Sequence, residues 1–165
     1  MSYIHPSVVI GRNVFIGENC SIGSPAEYPD QVDPRKEPRH TVIIGDNTII
    51  RDNVTINAGH LGNTVIGADC YIMSHSHVGH DTAIGDNVVL HSACVIGGHS
   101  IIASCCRIGL NASLHQHTQL AFGTMVGAQS FVKGIWKDHF RILAGVPAKD
   151  IGFNERLYNK LNSER

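Results

Sequence analysis

From Ile66 to Val132 every sixth residue is Ile, Leu or Val: Ile66, Ile72, Val78, Ile84, Leu90, Ile96, Ile102, Ile108, Leu114, Leu120, Val126 and Val132, twelve in succession. The spacing recurs at Ile4, Ile10, Ile16 and Ile22 and at Ile44, Ile50 and Ile56, so nineteen hexads begin on a large aliphatic side chain. Neither a helix, with 3.6 residues per turn, nor a plain alternating strand produces a period of six. A solenoid does: very short parallel strands, each coil resting on the last through sheet hydrogen bonds roughly 4.8 Å apart. The second position is Gly in ten hexads, among them Gly11, Gly17, Gly45, Gly67, Gly85 and Gly109, which fits a chain that must turn sharply without a side chain in the way. The fifth position is small or β-branched, as at Val14, Cys20, Thr48, Val54, Cys70, Thr82, Cys94, Ser100, Cys106, Ala112 and Thr124. Large and small residues thus alternate toward a narrow interior.

A chain of 165 residues with 42% hydrophobic side chains suits one unit with a continuous core. Its formal charge of −1 lacks the positive excess that phosphate-backbone binding favours, so nucleic acid is a poor expectation for a partner. No apolar run reaches the length of a membrane span, and the opening MSYIHPSVVIG lacks the basic and long apolar stretches of a signal peptide. These features predict a cytoplasmic protein that is not integral to a membrane. Five cysteines, an odd number, argue against a disulfide framework, and Cys20, Cys70, Cys94 and Cys106 share the fifth position as space-fillers.

The pattern resembles the hexapeptide-repeat acyltransferases. That resemblance implies an all-β left-handed parallel β-helix, a triangular prism with three hexads per coil, here about six coils, and a homotrimer as the working unit. On this reading residues 1–137 form the prism and residues 138–165 a terminal loop with a short C-terminal helix carrying Leu157, Leu161 and Tyr158 inward. Trp136 is too large for a fifth position, and Pro147 can seal an open coil edge. Two insertions interrupt the register, a proline-rich, charged segment at 24–41 that should project as a loop and four extra residues near 58–61. Counting in threes puts the hexads at Ile4, Ile22, Ile56, Val78, Ile96, Leu114 and Val132 on one face, so both insertions leave the prism just after it. Loops at one corner of a rigid scaffold are where binding groups usually lie.

Eleven histidines are several times ordinary usage, and His80, His99 and His115 fall in hexads stacked on that face, with His77 ending the preceding hexad. Imidazole accepts a proton near neutral pH. His80 is followed by Asp81, which can orient or polarise the ring, and Gly98 stands one coil above, where a backbone N–H can face an oxyanion. A thioester carbonyl is already activated, so this set suits base-assisted acyl transfer without a serine or cysteine nucleophile. A zinc site of the β-helix carbonic anhydrase kind needs G-H-x-x-x-x-H in register; His75 and His80 are five apart but at the fourth and third positions, and no metal ligand is assigned.

The ordered set His77, His80-Asp81, Gly98-His99 and His115-Gln116 resembles the UDP-N-acetylglucosamine acyltransferases that begin lipid A synthesis, within the sequences IGDNTIIRDNVTINAG (44–59) and 72–117. By that resemblance His80 is the base acting on the sugar acceptor and Gly98 supplies the oxyanion N–H. It also gives His77 and His99 the holding of acceptor or acyl chain, and His115 with Gln116 the nucleotide-sugar side. Asn57 takes a substrate-binding position at which those enzymes tend to have histidine. The resemblance implies sites between subunits, and acyl-carrier protein thioester or acyl-CoA as co-substrate with no cofactor bound permanently. AGVPAK (144–149) resembles instead the terminal motif of acetyl-CoA-dependent sugar acetyltransferases, in which Lys149 would contact CoA phosphate. The sequence therefore predicts an acyltransferase acting on a hydroxyl or amine of a nucleotide-linked sugar. The alternatives are a sugar acetyltransferase, a zinc carbonic anhydrase and a non-catalytic trimeric sugar-binding scaffold.

Overall fold

A computed structural model describes residues 1–28 and 32–163. Residues 29–31 of the expected projecting loop and the last two residues of the tail lie outside it. The chain winds as a left-handed parallel β-helix. Three parallel faces are built from strands mostly two residues long. The first face runs from Tyr3–Ile4 through Ser21–Ser24, Thr55–Asn57, His77–Val78, Val95–Ile96 and Ser113–Leu114 to Phe131–Val132. Its membership is the one the count in threes predicts. The second face starts at Val9–Ile10 and ends at Ile135–Trp136, and the third starts at Phe15–Ile16.

Each of the first two faces has seven strands, so the prism has about seven coils rather than about six. The difference lies after Val132. Trp136 is the inward residue of the second face, paired with Leu120 only sixteen positions earlier; a shortened hexad accommodates the indole there instead of at a fifth position. Arg141–Gly145 then adds to the third face, and Ala148–Phe153 returns antiparallel along it. Residues 138–165 therefore carry a strand pair before the helix, and Pro147 sits in the hairpin turn rather than on a coil edge. The helix, Glu155–Ser163, half-buries Leu157 and Leu161, while Tyr158 is exposed and packs edge-on against Phe140.

Every first-position aliphatic from Ile22 to Val132 is buried. Such burial stabilises by about 1.5–3 kcal/mol per side chain, which is what holds strands too short to persist alone. Ile4 and Ile10 of the end coil, with a neighbour on one side only, remain exposed. Fifth-position side chains fill the gaps, and the hydroxyls of Ser100 and Thr124 donate to Gly97 O and Ala121 O, each at 2.7 Å, whereas the buried Thr82 hydroxyl has no partner among the described residues.

The turns correct the sequence reading of the glycines. Apart from Gly23, φ 88°, the second-position glycines such as Gly67 are not in the left-handed region; a Cβ on Gly67 would lie 2.5 Å from Gly85 C and 2.5 Å from Asp86 Oδ1 of the next coil. Close stacking is what excludes a side chain there. The left-handed turn falls two residues later, at the fourth position, on Asn47, Asp69, His75, Asp81, Asn87, His99 and their equivalents, with φ of 54–70°. Asn, Asp and His tolerate that region better than bulkier residues.

Candidate active site at the histidine corner

His80 follows the strand His77–Val78 and occupies the corner between the first and second faces. The coil turns at Asp81, φ 57°, and the next coil is fastened by His99 N–H donating to His80 O at 2.9 Å. His80 is only 6% exposed, yet it is not part of the prism's hydrophobic core. Tyr28, from the loop after the first-face strand, meets it edge-on at 5.5 Å, and His99 meets it edge-on at 4.9 Å.

His80 Nδ1 lies 2.7 Å from Asp81 Oδ2. Asp81 also accepts backbone N–H groups from His60 at 3.0 Å, Leu61 at 2.8 Å and Gly62 at 2.7 Å, all from the short insertion. Burial alone pushes this carboxyl up; the bonds from His60, His80, Gly62 and Leu61 together outweigh it and bring the group down to about 2. Asp81 is thus an anion that can only accept, so Nδ1 of His80 is the donor in this bond, and in the neutral ring the lone pair is on Nε2. That Nε2 makes no hydrogen bond among the described residues, and a Cβ on Gly98 would stand 2.8 Å from it. Gly98 leaves the room the ring occupies. Its own N–H has no acceptor among the described residues, whereas its carbonyl accepts from His117 N–H at 2.9 Å.

His99 Nε2 is 3.9 Å from Asp81 Oδ2, and the His99 ring lies parallel to that of His117, 2° apart in plane and 4.7 Å between centroids. Burial holds the His99 imidazole below its ordinary value; Asp81 opposes this, while His80, His117 and His60 add to it. His77 stands on the adjoining face with Nδ1 2.7 Å from Thr55 Oγ1. Burial lowers its pKa too, against Glu27 and with His80. Asn57 is buried, its amide donating to Pro25 O at 2.9 Å, and it lines a small recess with Ser24 and Glu27.

The remaining expected residues are elsewhere. His115 and Gln116 are exposed; the His115 ring turns toward Phe131, 6.1 Å away, and its Nδ1 sits 3.1 Å from Gln116 O. Lys149 is exposed on the closing hairpin, paired with Ala144 on the third face, away from the corner. Two imidazoles missed by the sequence reading join the cluster, His60 and His117. His117 was legible, because Asp81, His99 and His117 stand 18 apart at the same fourth position. His60 lies in an insertion without register.

His80, Asp81 and His99 each place one ligand-type atom within 4.8 Å of the others. The set does not fit a metal ion, since Asp81 already accepts two hydrogen bonds on each oxygen and has no lone pair to give. A zinc carbonic anhydrase site is therefore not supported by these donors.

Stacked hexads, a triangular section and a histidine corner under two loops define the class: a hexapeptide-repeat β-helix protein. The family model for the bacterial transferase hexapeptide (six repeats) matches residues 63–98 of the chain. Over a longer stretch the chain is similar to acyl-(acyl-carrier-protein)–UDP-N-acetylglucosamine O-acyltransferases. One from Paraburkholderia phymatum is 36% identical over 143 residues, 84% of this chain and 52% of the relative, and one from Sinorhizobium fredii is 31% identical over 133 residues, 78% and 47%. The chain thus spans about half the length of the curated relatives it matches. The crystal structure of UDP-N-acetylglucosamine O-acyltransferase from Moraxella catarrhalis superposes with a TM-score of 0.76 at 23% identity, covering 96% of this chain and 77% of that one.

Proposed function

We propose that this chain is an acyltransferase that moves an acyl group from a thioester, on acyl-carrier protein or CoA, to a hydroxyl or amine of a nucleotide-linked sugar. The observation that carries the reading is the His80–Asp81 dyad, with Nδ1 fixed at 2.7 Å and Nε2 unpaired over Gly98. Nε2 removes the acceptor proton as the acceptor oxygen or nitrogen bonds to the thioester carbon. The carbonyl electrons move onto oxygen, where the Gly98 N–H stabilises the charge. Collapse of that intermediate breaks the C–S bond, and the imidazolium returns its proton to the departing thiolate. His77 and His99 hold acceptor or acyl chain, and His115, Gln116 and Asn57 contact the sugar nucleotide. Similarity to relatives whose names include acyl-carrier protein and UDP-N-acetylglucosamine supports the choice of donor and acceptor.

The working unit is a homotrimer with sites at its seams. Support comes from the second face, which borders the His80 corner. Its outward residues Val9, Ile43, Val65, Ala83, Ile101, Gln119 and Ile135 are successive partners across the coils, apolar at every place but Gln119. Val9, Ile101 and Ile135 are 54%, 48% and 58% exposed, an apolar stripe suited to burial against another subunit. A cytoplasmic location fits this substrate set; no helix among the described residues is long and apolar enough to cross a membrane.

The test is thiol release from a panel of acyl-CoA and acyl-carrier donors with UDP-amino-sugar acceptors. His80→Ala should lower turnover by about 10²–10⁴-fold. Unchanged turnover rules out His80 as the base, and no transfer by the wild-type protein leaves the scaffold reading in its place.

A further inference from the structure

The two insertions that leave the prism at one corner also close on each other. Between them lies a cavity of about 170 Å³, lined by Pro25, Lys36, Arg39, Gly59 and His60 together with Asp33 and Glu37. Two carboxylates face two longer cations there, which at first sight is neutral. Both carboxylates are engaged, however. Asp33 holds Arg35 through two bonds of 2.8 and 3.1 Å, and Glu37 meets His5 Nε2 at 2.7 Å. Lys36 and Arg39 have no carboxylate partner among the described residues. His60 is the second, independent observation. The residue is 6% exposed, its backbone N–H is committed to Asp81, and its ring nitrogens have no hydrogen-bond partner among the described residues although the side chain lines the cavity. An imidazole whose nitrogens make no bond within the described protein and open only into the cavity, beside two cations, is set up for an anionic oxygen ligand.

We propose that this cavity binds a phosphoryl or pyrophosphoryl group of a substrate, held by Lys36, Arg39 and the His60 ring. The inference rests on the acyltransferase reading for the identity of the molecule that carries the phosphate. Either co-substrate can supply the chemistry, the diphosphate of the nucleotide sugar or the phosphates of CoA or a phosphopantetheine arm. The site is coupled to the dyad through a single residue: His60 would hold the anion with its ring and holds Asp81 Oδ2, the atom bonded to His80, with its N–H at 3.0 Å. Seating the phosphate therefore also steadies the carboxylate that orients the base, making His60 a positioning residue.

The test uses the full chain with inorganic pyrophosphate, UDP and CoA as calorimetric probes. Wild-type protein should bind pyrophosphate, and Lys36→Ala/Arg39→Ala should weaken it by about tenfold per lost charge-assisted bond. His60→Ala, which keeps the backbone N–H, should weaken it too. Both variants alter solvent-facing or loop side chains, and unchanged circular dichroism and thermal midpoint confirm that they fold. In steady-state assays of the double variant, a raised KM for the nucleotide sugar alone assigns the acceptor diphosphate, and a raised KM for CoA or carrier alone assigns the donor. Equal pyrophosphate affinity in wild type and double variant, or no binding to either, overturns the proposal even where acyl transfer proceeds. Variant-sensitive pyrophosphate binding without any acyl transfer keeps the anion site and removes the acyltransferase reading.

Discussion

Replacing Gly98 with Ala tests the corner more sharply than removing His80, because it adds one methyl and retains the backbone N–H. The new Cβ would lie 2.8 Å from His80 Nε2, 2.9 Å from Cε1 and 3.2 Å from Cδ2. Ordinary contact needs about 3.5 Å or more between such atoms, so the ring must retreat by several tenths of an ångström. It is flanked by His99 at 4.9 Å and Tyr28 at 5.5 Å, and tethered by the 2.7 Å bond to Asp81, so retreat strains or breaks that bond. Positive φ is not involved at this position. The far end of a side chain yields more cheaply than backbone, so stability should fall by no more than about 1 kcal/mol, whereas kcat/KM should fall by about 10²-fold or more as the base loses its position. Gly97→Ala is the matched control: its Cβ would lie 2.5 Å from Gln116 N and 2.9 Å from His115 C, which are main-chain atoms. It should cost about 1–3 kcal/mol, a drop of about 2–4 °C in Tm for each kcal/mol. Thiol-release kinetics and differential scanning calorimetry on both variants decide the matter. Wild-type turnover in Gly98→Ala, or equal destabilisation by both, refutes the placement of the His80 ring over Gly98.

Asp81→Asn should lower kcat sharply with little change in KM, since an amide cannot hold His80 in the Nδ1–H tautomer and cannot accept all four hydrogen bonds; it should also remove a pH-dependent part of the stability. The Asp81 carboxyl is lowered from 3.8 to about 2, so its contribution, about 2 kcal/mol, is complete above pH 4 and lost as pH falls toward 2; acid denaturation curves of wild type and variant should converge over that window. Burial raises the thiols of Cys70 and Cys94 to about 11 and of Cys106 to about 12, so titration of the native protein with an aromatic disulfide at pH 8 should modify the half-buried Cys105 first, and rapid modification of all five would contradict the packed fifth position.

The faces were readable because one residue type at one period defines them: Ile, Leu and Val at every sixth place give the inward row, and the count in threes gives the stacking partners. The turns were misplaced because glycine has two uses. Gly67 and Gly85 were read as conformational freedom, while the structure uses them for close approach and bends at Asp69 and Asn87. The corner was read in part for a related reason. His80, Asp81, Gly98 and His99 sit at third and fourth positions and converge, whereas His115, at a second position, points toward Phe131. One step along a turn redirects a side chain completely. His60 and Tyr28 could not be placed, because insertions carry no period from which to compute a neighbour.

Across the long insertion Val9 pairs with Ile43 and Ser21 with Thr55, 34 residues apart, in the same alignment that Ala83 makes with Ile101 over 18. Chain length at this corner is therefore mechanically neutral, since any number of residues can leave and return without shifting the wall. Between corners the opposite holds, because a single deletion would turn each later Ile outward and each later polar residue inward. The protein separates what can vary from what cannot, and a different substrate could be accommodated by exchanging the excursions while the column beneath them stays fixed.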